Sequence, residues 1–318
     1  LFPYTTLFRS RGTAKIFLEW YNACPAPELP HVAYWDKDTH GFSWREIEVG
    51  LRGRMLVTLF LASRGWTDVP EEFHRALLIS IVQHVDYLSF YYERFGFIEG
   101  NHQTHHAPAP LAAGYLLPEL RKAKDWSRLG LRIFREHLAS DHDEECVQVE
   151  HSPGYHVNMF RLYMDAYRIY SQNGQRGPAW LGRAVNAMAD FIMYSVDSAG
   201  MMFPINDSRY KLALPVLREA SRLLGRPELL APSGRSVKPV PPASRAFKSA
   251  GFAFMRSGWD SDATCVVLDT SWQGSGHWHA GKPNLVIHSA GVRLACEHEY
   301  ATYDDPWLWK YFHHARAH

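Results

Sequence analysis

The chain has 318 residues, which is enough to bury a large hydrophobic core and predicts two domains. Its composition, with 46% hydrophobic and 21% charged residues and a formal net charge of +1, argues against a nucleic-acid or membrane partner, and no apolar run is long enough to span a bilayer. An acidic substrate would have to be bound by local arginine and lysine side chains, because the global charge gives no electrostatic steering.

The two ends of the chain differ from the rest. The opening stretch, LFPYTTLFRS, matches nothing that follows, so residues 1–12 are interpreted as a non-native leader. The sequence stops abruptly after HHARAH, which is typical of a fragment. The four cysteines have neither metal-binding nor disulfide-framework spacing and are predicted to be buried thiols; they are Cys24, Cys146, Cys265 and Cys296.

Residues 13–230 are predicted to form a helical domain. Apolar residues recur there at helical spacing, as in the set Leu78, Ile81, Val82, Val85 and Leu88. Breaks rich in polar residues, glycine and proline separate roughly seven such segments. Strand signals are sparse in this part of the chain, which favours an all-α layer.

The pattern changes at residues 231–246, a segment rich in proline, serine and basic residues that is interpreted as a linker. Residues 247–318 then contain short β-type runs such as ATCVVLDTSW and NLVIHSAGVRLACEHEY. About three or four strands do not make a stable sheet domain alone, so they must pack on the helices or belong to a domain that continues beyond His318. The predicted fold class is multidomain α+β, with antiparallel strands following the helices.

Two motifs carry polar residues at helix starts. In EGNHQTHHAPAPLAAGYLLPEL, Asn101 and His102 precede a helical stretch, and an isolated Asn101 would be explained as an N-cap. In VEHSPGYHVNMF, Tyr155 and His156 lie at the start of an amphipathic helix, where an aromatic residue commonly packs against the helix. Neither motif alone indicates a function.

A third motif, GSGHWHAGKPNL, holds His277 and His279. It is followed by further candidate ligands, namely Glu297, His313, His314 and His318. Two histidines and a carboxylate with an open position are typical of a Zn site. Histidines at i and i+2 on a strand point the same way, so one could bind a metal while the other faces a substrate. With 18 histidines in the chain, chance proximity stays an alternative.

The order of the motifs matches a known family. The segments GNH…APLAAGYLLPEL, EHSPGYH, FPINDS and HWHAGKPNLVIHSAGVRLACEHEYATYD occur in succession, and together they resemble the heparinase II/III family of polysaccharide lyases. By itself FPINDS is a turn in which Asp207 or Ser208 is explained as a helix cap. The resemblance implies an incomplete (α/α) toroid followed by an antiparallel β-sandwich domain that is only partly present.

Lyases of this kind cleave the bond at C4 of a uronic acid by β-elimination. Removal of the C5 proton places a second negative charge on the carboxylate group, so the reaction needs charge stabilisation, a base and an acid for O4. The resemblance implies that Asn101 and His102 hold the carboxylate, with His156 as a further substrate-binding residue. It implies Tyr155 as the acid, or as acid and base together, and His277 as the second base candidate.

The resemblance also implies one structural divalent metal, with zinc favoured, held by His279, Glu297 and His318, and no organic cofactor. This chain departs from the family pattern His-x-His-x-Asp because Gly281 replaces the aspartate, and Glu297 stands at a position that is usually aspartate. The implied partner is an acidic polysaccharide or oligosaccharide. The implied location is periplasmic or secreted.

Two alternatives stay open. A toroid glycoside hydrolase would need paired carboxylates, for which Asp141, Asp143, Glu144 and Glu145 are candidates, although all four share one polar loop. A catalytically degenerate carbohydrate-binding protein would keep the groove without the chemistry. The sequence does not distinguish between heparan sulfate, alginate and other uronate glycans.

Overall fold

The structure is a computed structural model that describes residues 10–29, 42–272, 276–297 and 304–314. It divides into two compact units, residues 1–137 (unit 1) and residues 138–318 (unit 2). Among the helices that it describes, none combines the length and the apolar character needed to cross a membrane.

Unit 1 is helical. Its helices are α1 (Ser10–Ala23), α2 (Glu46–Ser63), α3 (Glu71–Phe95), α4 (Asn101–Thr104), α5 (Pro108–Leu116) and α6 (Ala123–Ser140), whose last residues belong to unit 2. The longest, α3, places Leu77, Ile81, Val85 and Leu88 in the core with no exposed surface. These residues follow one helical face, as the periodicity predicts, although Leu78 is only partly buried and Leu77 takes its place.

The approach of α2 to α5 and to the residues just before α5 depends on glycine. A Cβ added to Gly50 would lie 2.5 Å from the backbone oxygen of His105, and one added to Gly53 would lie 2.9 Å from the Cβ of Ala109. Both distances are shorter than van der Waals contact, so a larger residue would push the helix away. Pro108 begins α5, where its missing N–H costs no intrahelical hydrogen bond.

Unit 2 combines helices with one sheet. Its helices are α7 (Pro153–Gln172), α8 (Ala179–Tyr194), α9 (Leu214–Leu224) and α10 (Pro306–Phe312). The strands are β1 (Arg245–Phe247), β2 (Phe252–Arg256), β3 (Cys265–Asp269), β4 (Asn284–Ser289) and β5 (Val292–Ala295). They form one antiparallel sheet in sequential order, and β4 and β5 are joined by a hairpin at residues 288–291, HSAG.

The sheet of unit 2 packs on its helices. The ring of Phe191 on α8 meets Phe247, Phe252 and Phe254 edge-on, with centroids 5.1, 5.6 and 5.8 Å apart. All four phenylalanines are buried. The strands therefore gain their stability from the helical layer, which was the first of the two options that the strand count left open.

Helices over residues 10–224 followed by antiparallel strands confirm the predicted order of elements. The first strand begins at Arg245, inside the segment predicted to be a linker. Cys265 is buried, but Cys296 is exposed, so the prediction of four buried thiols is wrong for Cys296. That residue follows β5, the last strand of the described sheet, in which Val292, Arg293 and Leu294 are exposed and Ala295 is partly buried.

Candidate active site

Hydrogen bonds join the SPGYH and FPINDS motifs of unit 2 at the start of α7. Ser152 is the N-cap of this helix, and its hydroxyl accepts the backbone N–H of Tyr155 at 3.5 Å. The hydroxyl of Ser208 accepts the N–H of Gly154 at 2.9 Å and lies 2.9 Å from the hydroxyl of Ser152. The SPGYH and FPINDS motifs thereby fix the backbone that carries Tyr155.

The loop with the His-x-His motif docks on the residue before Asp207. The backbone N–H of His279 donates to Oδ1 of Asn206 at 3.0 Å, and the N–H of Asp207 donates to the carbonyl of His277 at 3.2 Å. Asn206 has a φ of 53°, in the left-handed region that asparagine tolerates better than most residues. The docked loop stacks His277 on Tyr155, with ring centroids 3.5 Å apart and planes at 19°.

A single buried carboxylate, Asp207, contacts three histidines. Nδ1 of His277 donates to its Oδ2 at 2.7 Å, while the Nε2 atoms of His279 and His313 lie 2.9 and 3.1 Å from its Oδ1. Burial alone would raise the pKa of Asp207, but hydrogen bonds from the three histidines outweigh it and lower this pKa far below its usual range. These four residues are called the Asp207 cluster.

The ionised carboxylate decides where His277 carries its proton. A carboxylate can only accept hydrogen bonds, so Nδ1 of His277 must hold the hydrogen. In the neutral ring, Nε2 then keeps the lone pair and can take up a proton, as the histidine of a Ser-His-Asp triad does. Asp207 thus fixes the hydrogen of the neutral His277 ring on Nδ1.

Glu297 holds the other side of His279. Its Oε1 lies 2.7 Å from Nδ1 of His279 and accepts the backbone N–H of Asn206 at 2.9 Å. Its Oε2 accepts the side-chain amide of Asn284 at 2.6 Å. Burial alone would lower the pKa of His279, but hydrogen bonds to Asp207 and Glu297 raise it. The ring is thus fixed between two carboxylates.

Three members of the cluster fit a metal ion. One ligand atom each from Asp207, His279 and His313 lies within 4.8 Å of the others, and no second such group occurs in the described part of the chain. A carboxylate oxygen and two imidazole nitrogens form a donor set that zinc uses. Of the three predicted ligands, only His279 belongs to this group among the described residues. Glu297 contacts Nδ1 of His279, the ring nitrogen on the side away from Asp207. His318 lies outside the described residues.

Asn101 and His102 lie in unit 1, in the single turn of α4. The N-cap position of this turn is Gly100, so capping does not account for Asn101. Nδ1 of His102 lies 3.4 Å from Oε1 of Glu46, a buried carboxylate on α2. The two residues assigned to the uronate carboxylate thus remain adjacent and partly buried in the folded chain.

The family model described as Heparinase II/III N-terminus matches residues 10–223. The chain belongs to the heparinase II/III family. Among the curated relatives, a heparin-sulfate lyase from Pedobacter heparinus is 28% identical over 284 residues, which are 85% of this chain and 42% of that protein. A heparin-sulfate lyase from Bacteroides stercoris is 23% identical over 294 residues, again 85% and 42% of the two chains. The chain spans less than half the length of these relatives.

Solved structures of the heparinase II/III family share this fold. A crystal structure of heparinase III matches with a TM-score of 0.78 and 18% identity, covering 95% of this chain and 49% of that one. The crystal structure of a heparan sulfate lyase from Pedobacter heparinus matches with a TM-score of 0.75 and 22% identity, covering 96% and 48%. At these identities the likeness establishes the fold alone.

In this heparinase II/III family member, His156 belongs to the core. Its Nε2 donates to the carbonyl of Met188 at 3.1 Å, and its Nδ1 accepts the N–H of Gln148 at 3.3 Å. Burial lowers the pKa of His156 to about 3, so the ring is neutral. Because backbone groups satisfy both nitrogens, this geometry does not support the substrate-binding role that the resemblance implies.

Sequence reasoning missed the central residue of the site. It explained Asp207 as a helix cap, yet α9 begins only at Leu214. The sequence feature that could have indicated a role for Asp207 was the position of FPINDS among the motifs that resemble the family. The acidic loop that a hydrolase would need serves a turn instead, because Asp143 accepts the N–H groups of Glu145 and Val147 at 2.9 and 2.8 Å.

Proposed function

We propose that this protein is a polysaccharide lyase that cleaves a uronic-acid-containing glycosaminoglycan by β-elimination. The observation that carries the proposal is the contact between Tyr155 and His277, with Nδ1 of His277 held by Asp207. The relatives named heparin-sulfate lyase support it, and the chain spans 42% of their length, so the activity and the substrate are carried over as parts of the proposal.

In the proposed reaction, Nε2 of His277 removes the C5 proton of the uronate. The electron pair of the C5–H bond forms the C4=C5 double bond while the C4–O4 bond breaks, and Tyr155 donates its phenolic proton to the departing O4. Asp207 stabilises the imidazolium that forms. Proton transfer from the imidazolium back to the phenolate, directly or through solvent, restores both side chains.

Asn101 and His102 offset the charge on the uronate carboxylate in this proposal. Proton removal from C5 adds a second negative charge to that group, and donors aimed at developing charge lower the barrier most. The amide of Asn101 supplies an N–H donor, and the imidazole of His102 supplies a second donor. Both roles come from the family resemblance.

The proposal includes a divalent metal ion, with zinc the best match, held by Asp207, His279 and His313. When bound, the ion supplies positive charge that ties together the loops carrying these three ligands. Asp207 would keep its hydrogen bond with Nδ1 of His277 through Oδ2, the oxygen that this ring contacts in the structure. Glu297 would orient His279 from the other nitrogen.

The toroid, the sandwich and an exported location are further parts of the proposal. On the outer face of the sheet, Met255 is 41% exposed and Leu285 is 48% exposed, which supports a second sheet packed against this face, as a sandwich requires. An exported location follows from the substrate, because a charged glycan polymer does not cross a membrane unaided.

One assay separates the candidate functions. The protein is incubated with heparan sulfate, with other glycosaminoglycans and with alginate, while ultraviolet absorbance and reducing ends are followed. A lyase produces the absorbance of the conjugated unsaturated uronate, a hydrolase produces reducing ends without it, and a binding protein produces neither. Absence of the absorbance across all glycans would contradict the lyase proposal.

Tyr155→Phe tests the assignment of the acid. Loss of the phenolic proton should lower turnover by roughly 10²–10⁴-fold, the usual value of general acid–base catalysis. Glycan binding should persist, because the ring and its stack on His277 remain. Tyr167→Phe, on the same helix, is the matched control and should turn over normally. Near-normal turnover of Tyr155→Phe would remove Tyr155 from the mechanism.

A further inference from the structure

The side chain of Asn206 is a buried amide to which neither the family resemblance nor the proposed reaction gives a role. It has no exposed surface. Its Nδ2 donates to the carbonyl of His151 at 2.7 Å, and its Oδ1 accepts the backbone N–H of His279 and the ammonium group of Lys282, both at 3.0 Å. One amide therefore joins the residue just before the SPGYH motif to the loop with the His-x-His motif.

The chemistry of these partners fixes the orientation of the amide. An ammonium group and a backbone N–H only donate hydrogen bonds, whereas a carbonyl only accepts them. The oxygen of Asn206 must therefore face His279 and Lys282, and its NH₂ group must face the carbonyl of His151. Aspartate and leucine are close to asparagine in size, but neither could serve both sides.

Lys282 connects the oxygen side of the amide to the sheet of unit 2. Its ammonium group also pairs with Asp269, the last residue of β3, and the carboxylate of Asp269 has no exposed surface. Asp269 in turn accepts the backbone N–H of Ser271 at 2.8 Å. Because a buried charge that loses its partner is costly, this pair holds Lys282 in place beside Oδ1 of Asn206.

The backbone on both sides of the contact with His151 is in an unfavourable conformation. Asn206 has a φ of 53° and His151 has a φ of 54°, both in the left-handed region. Such residues cost free energy and persist only where the surrounding structure holds them. Two of them joined by one hydrogen bond indicate that the fold maintains this contact against local strain.

The loop with the His-x-His motif has little buried surface of its own. Among residues 276–283, all of which the structure describes, only His279 is buried. Hydrogen bonds must therefore set the position of this loop, and Asn206 contacts it at His279 and again at Lys282. His277 lies two residues before His279, so a displacement of the backbone at His279 also displaces the ring of His277.

We infer that Asn206 is a positioning residue: its amide joins the chain before α7 to the loop with the His-x-His motif and so sets the distance between Tyr155 and His277. Tyr155 lies four residues after His151, in the first turn of α7. The stack of the Tyr155 and His277 rings depends on this connection. The catalytic roles of these two rings rest on the proposed function, whereas their separation does not.

A side chain that only stabilises the fold makes a different prediction. Its removal would lower the free energy of unfolding but would leave Tyr155 and His277 stacked in every folded molecule. If Asn206 positions the loop, its removal separates the two rings in the folded protein. The difference is measurable, because the ring current of Tyr155 shifts the ring protons of a stacked His277 upfield.

The test uses Asn206→Gly in the 318-residue chain. Glycine adopts a φ of 53° without strain and keeps the backbone N–H that Glu297 accepts, so only the amide is lost. Asn173→Gly is the matched control, because Asn173 is the exposed C-cap of α7 and its Nδ2 donates to the carbonyl of Ile169 at 2.6 Å. Val185→Ala, which shortens a fully buried side chain on α8, is the control for lost stability.

Proton–carbon spectra of the histidine rings report the stack. His277 is assigned by the loss of its signal in His277→Gln, and its unshifted position is taken from Tyr155→Leu. In Asn206→Gly, the ring protons of His277 should move downfield toward that position. In Asn173→Gly and Val185→Ala, they should stay where they are in the wild type.

The kinetic effect of Asn206→Gly should lie in kcat. Turnover of heparan sulfate should fall about 10²-fold, the loss that a misplacement of about 1 Å can cause. KM should change little, because His277 acts in the transition state and not in glycan binding. Asn173→Gly and Val185→Ala should keep the kcat of the wild type, with urea unfolding showing how much stability each variant has lost.

Wild-type positions of the His277 protons in folded Asn206→Gly would overturn the inference, as would a kcat equal to that of Val185→Ala in an active enzyme. If Asn206→Gly does not fold, Asn206→Asp replaces it, since the carboxylate cannot donate to His151, and wild-type positions there would overturn the inference equally. A wild-type chain that releases no unsaturated uronate from any glycan would contradict the proposed function instead. The spectra would still decide whether Asn206 positions His277.

Discussion

Buried His84 and His106 of unit 1 and buried His279 of unit 2 have opposite electrostatic surroundings. In unit 1, burial lowers the pKa of both His84 and His106 to about 3, so both rings are neutral. In unit 2, His279 is also buried, yet its contacts with Asp207 and Glu297 raise its pKa. Burial alone therefore lowers the pKa of a histidine, and contacts with two carboxylates raise it.

The hydrogen-bond partners explain the difference. Nε2 of His84 accepts the guanidinium N–H of Arg52 at 2.8 Å, and Nδ1 donates to the carbonyl of Ser80 at 2.7 Å, which is how a core residue is satisfied. His156 shows that the distinction does not follow the units, because it lies in unit 2 and is held by backbone groups alone. In a chain with 18 histidines, the carboxylate neighbours indicate which histidines can do chemistry.

The largest effect is expected from removing the carboxylate of Asp207, which the three histidines share. Asp207→Asn removes the negative charge that attracts His279 and His313. Nδ1 of His277 loses the carboxylate that accepts its hydrogen bond. We expect kcat/KM on a uronate glycan to fall about 10²–10⁴-fold through the loss of the base. Zinc should also be lost on dialysis, as measured by elemental analysis of the protein.

The control for this substitution is Asp165→Asn on α7. Asp165 pairs with Arg168 at 2.8 Å in an i, i+3 arrangement, and both side chains are partly buried. This variant should keep both zinc and activity. If Asp207→Asn kept them as well, the Asp207 cluster would not be the catalytic and metal-binding centre.

A smaller effect is expected from Glu297→Gln. The amide keeps the size of the side chain but removes the charge that faces Nδ1 of His279, so this ring binds a metal less strongly. Zinc affinity, measured by competition with a chelator, should fall about 10- to 100-fold. Glu219→Gln, which changes an exposed carboxylate, should leave the affinity unaltered. An affinity equal to that of the wild type would mean that Glu297 does not orient His279.

The smallest effect is expected from His106→Leu in unit 1, which should change how the free energy of unfolding depends on pH. His106 has a pKa of about 3 in the folded state and about 6.5 in the unfolded state, so the unfolded state binds more protons between these values. Stability that is complete above pH 6.5 is therefore lost as the pH falls. His106→Leu should flatten this fall between pH 6.5 and pH 4 by up to about 1.4 kcal/mol per pH unit, as measured by urea unfolding. An unchanged slope would show that His106 is protonated in the folded chain.

The sequence predicted correctly those helices and strands that are determined by residues close together in the chain. Ile81, Val85 and Leu88 lie on the buried face that their spacing predicts, because helical geometry repeats over a few residues. The strand runs also appear as predicted, from Phe252 onward. The short strand β1 was hidden in a segment rich in proline and serine, where pairing with β2 supplies the order that local sequence does not.

The sequence by itself determined the order of helices and strands, and it identified the motif residues Asn101, His102, Tyr155, His277 and His279. Only the tertiary structure decided that Asp207 is the centre of the cluster and that His156 is a core residue. Asp207 and His277 are 70 residues apart, and their contact exists because the docked loops bury the carboxylate among three rings. Burial and pairing change the pKa of a group through its surroundings in space, and sequence neighbours do not reveal those surroundings.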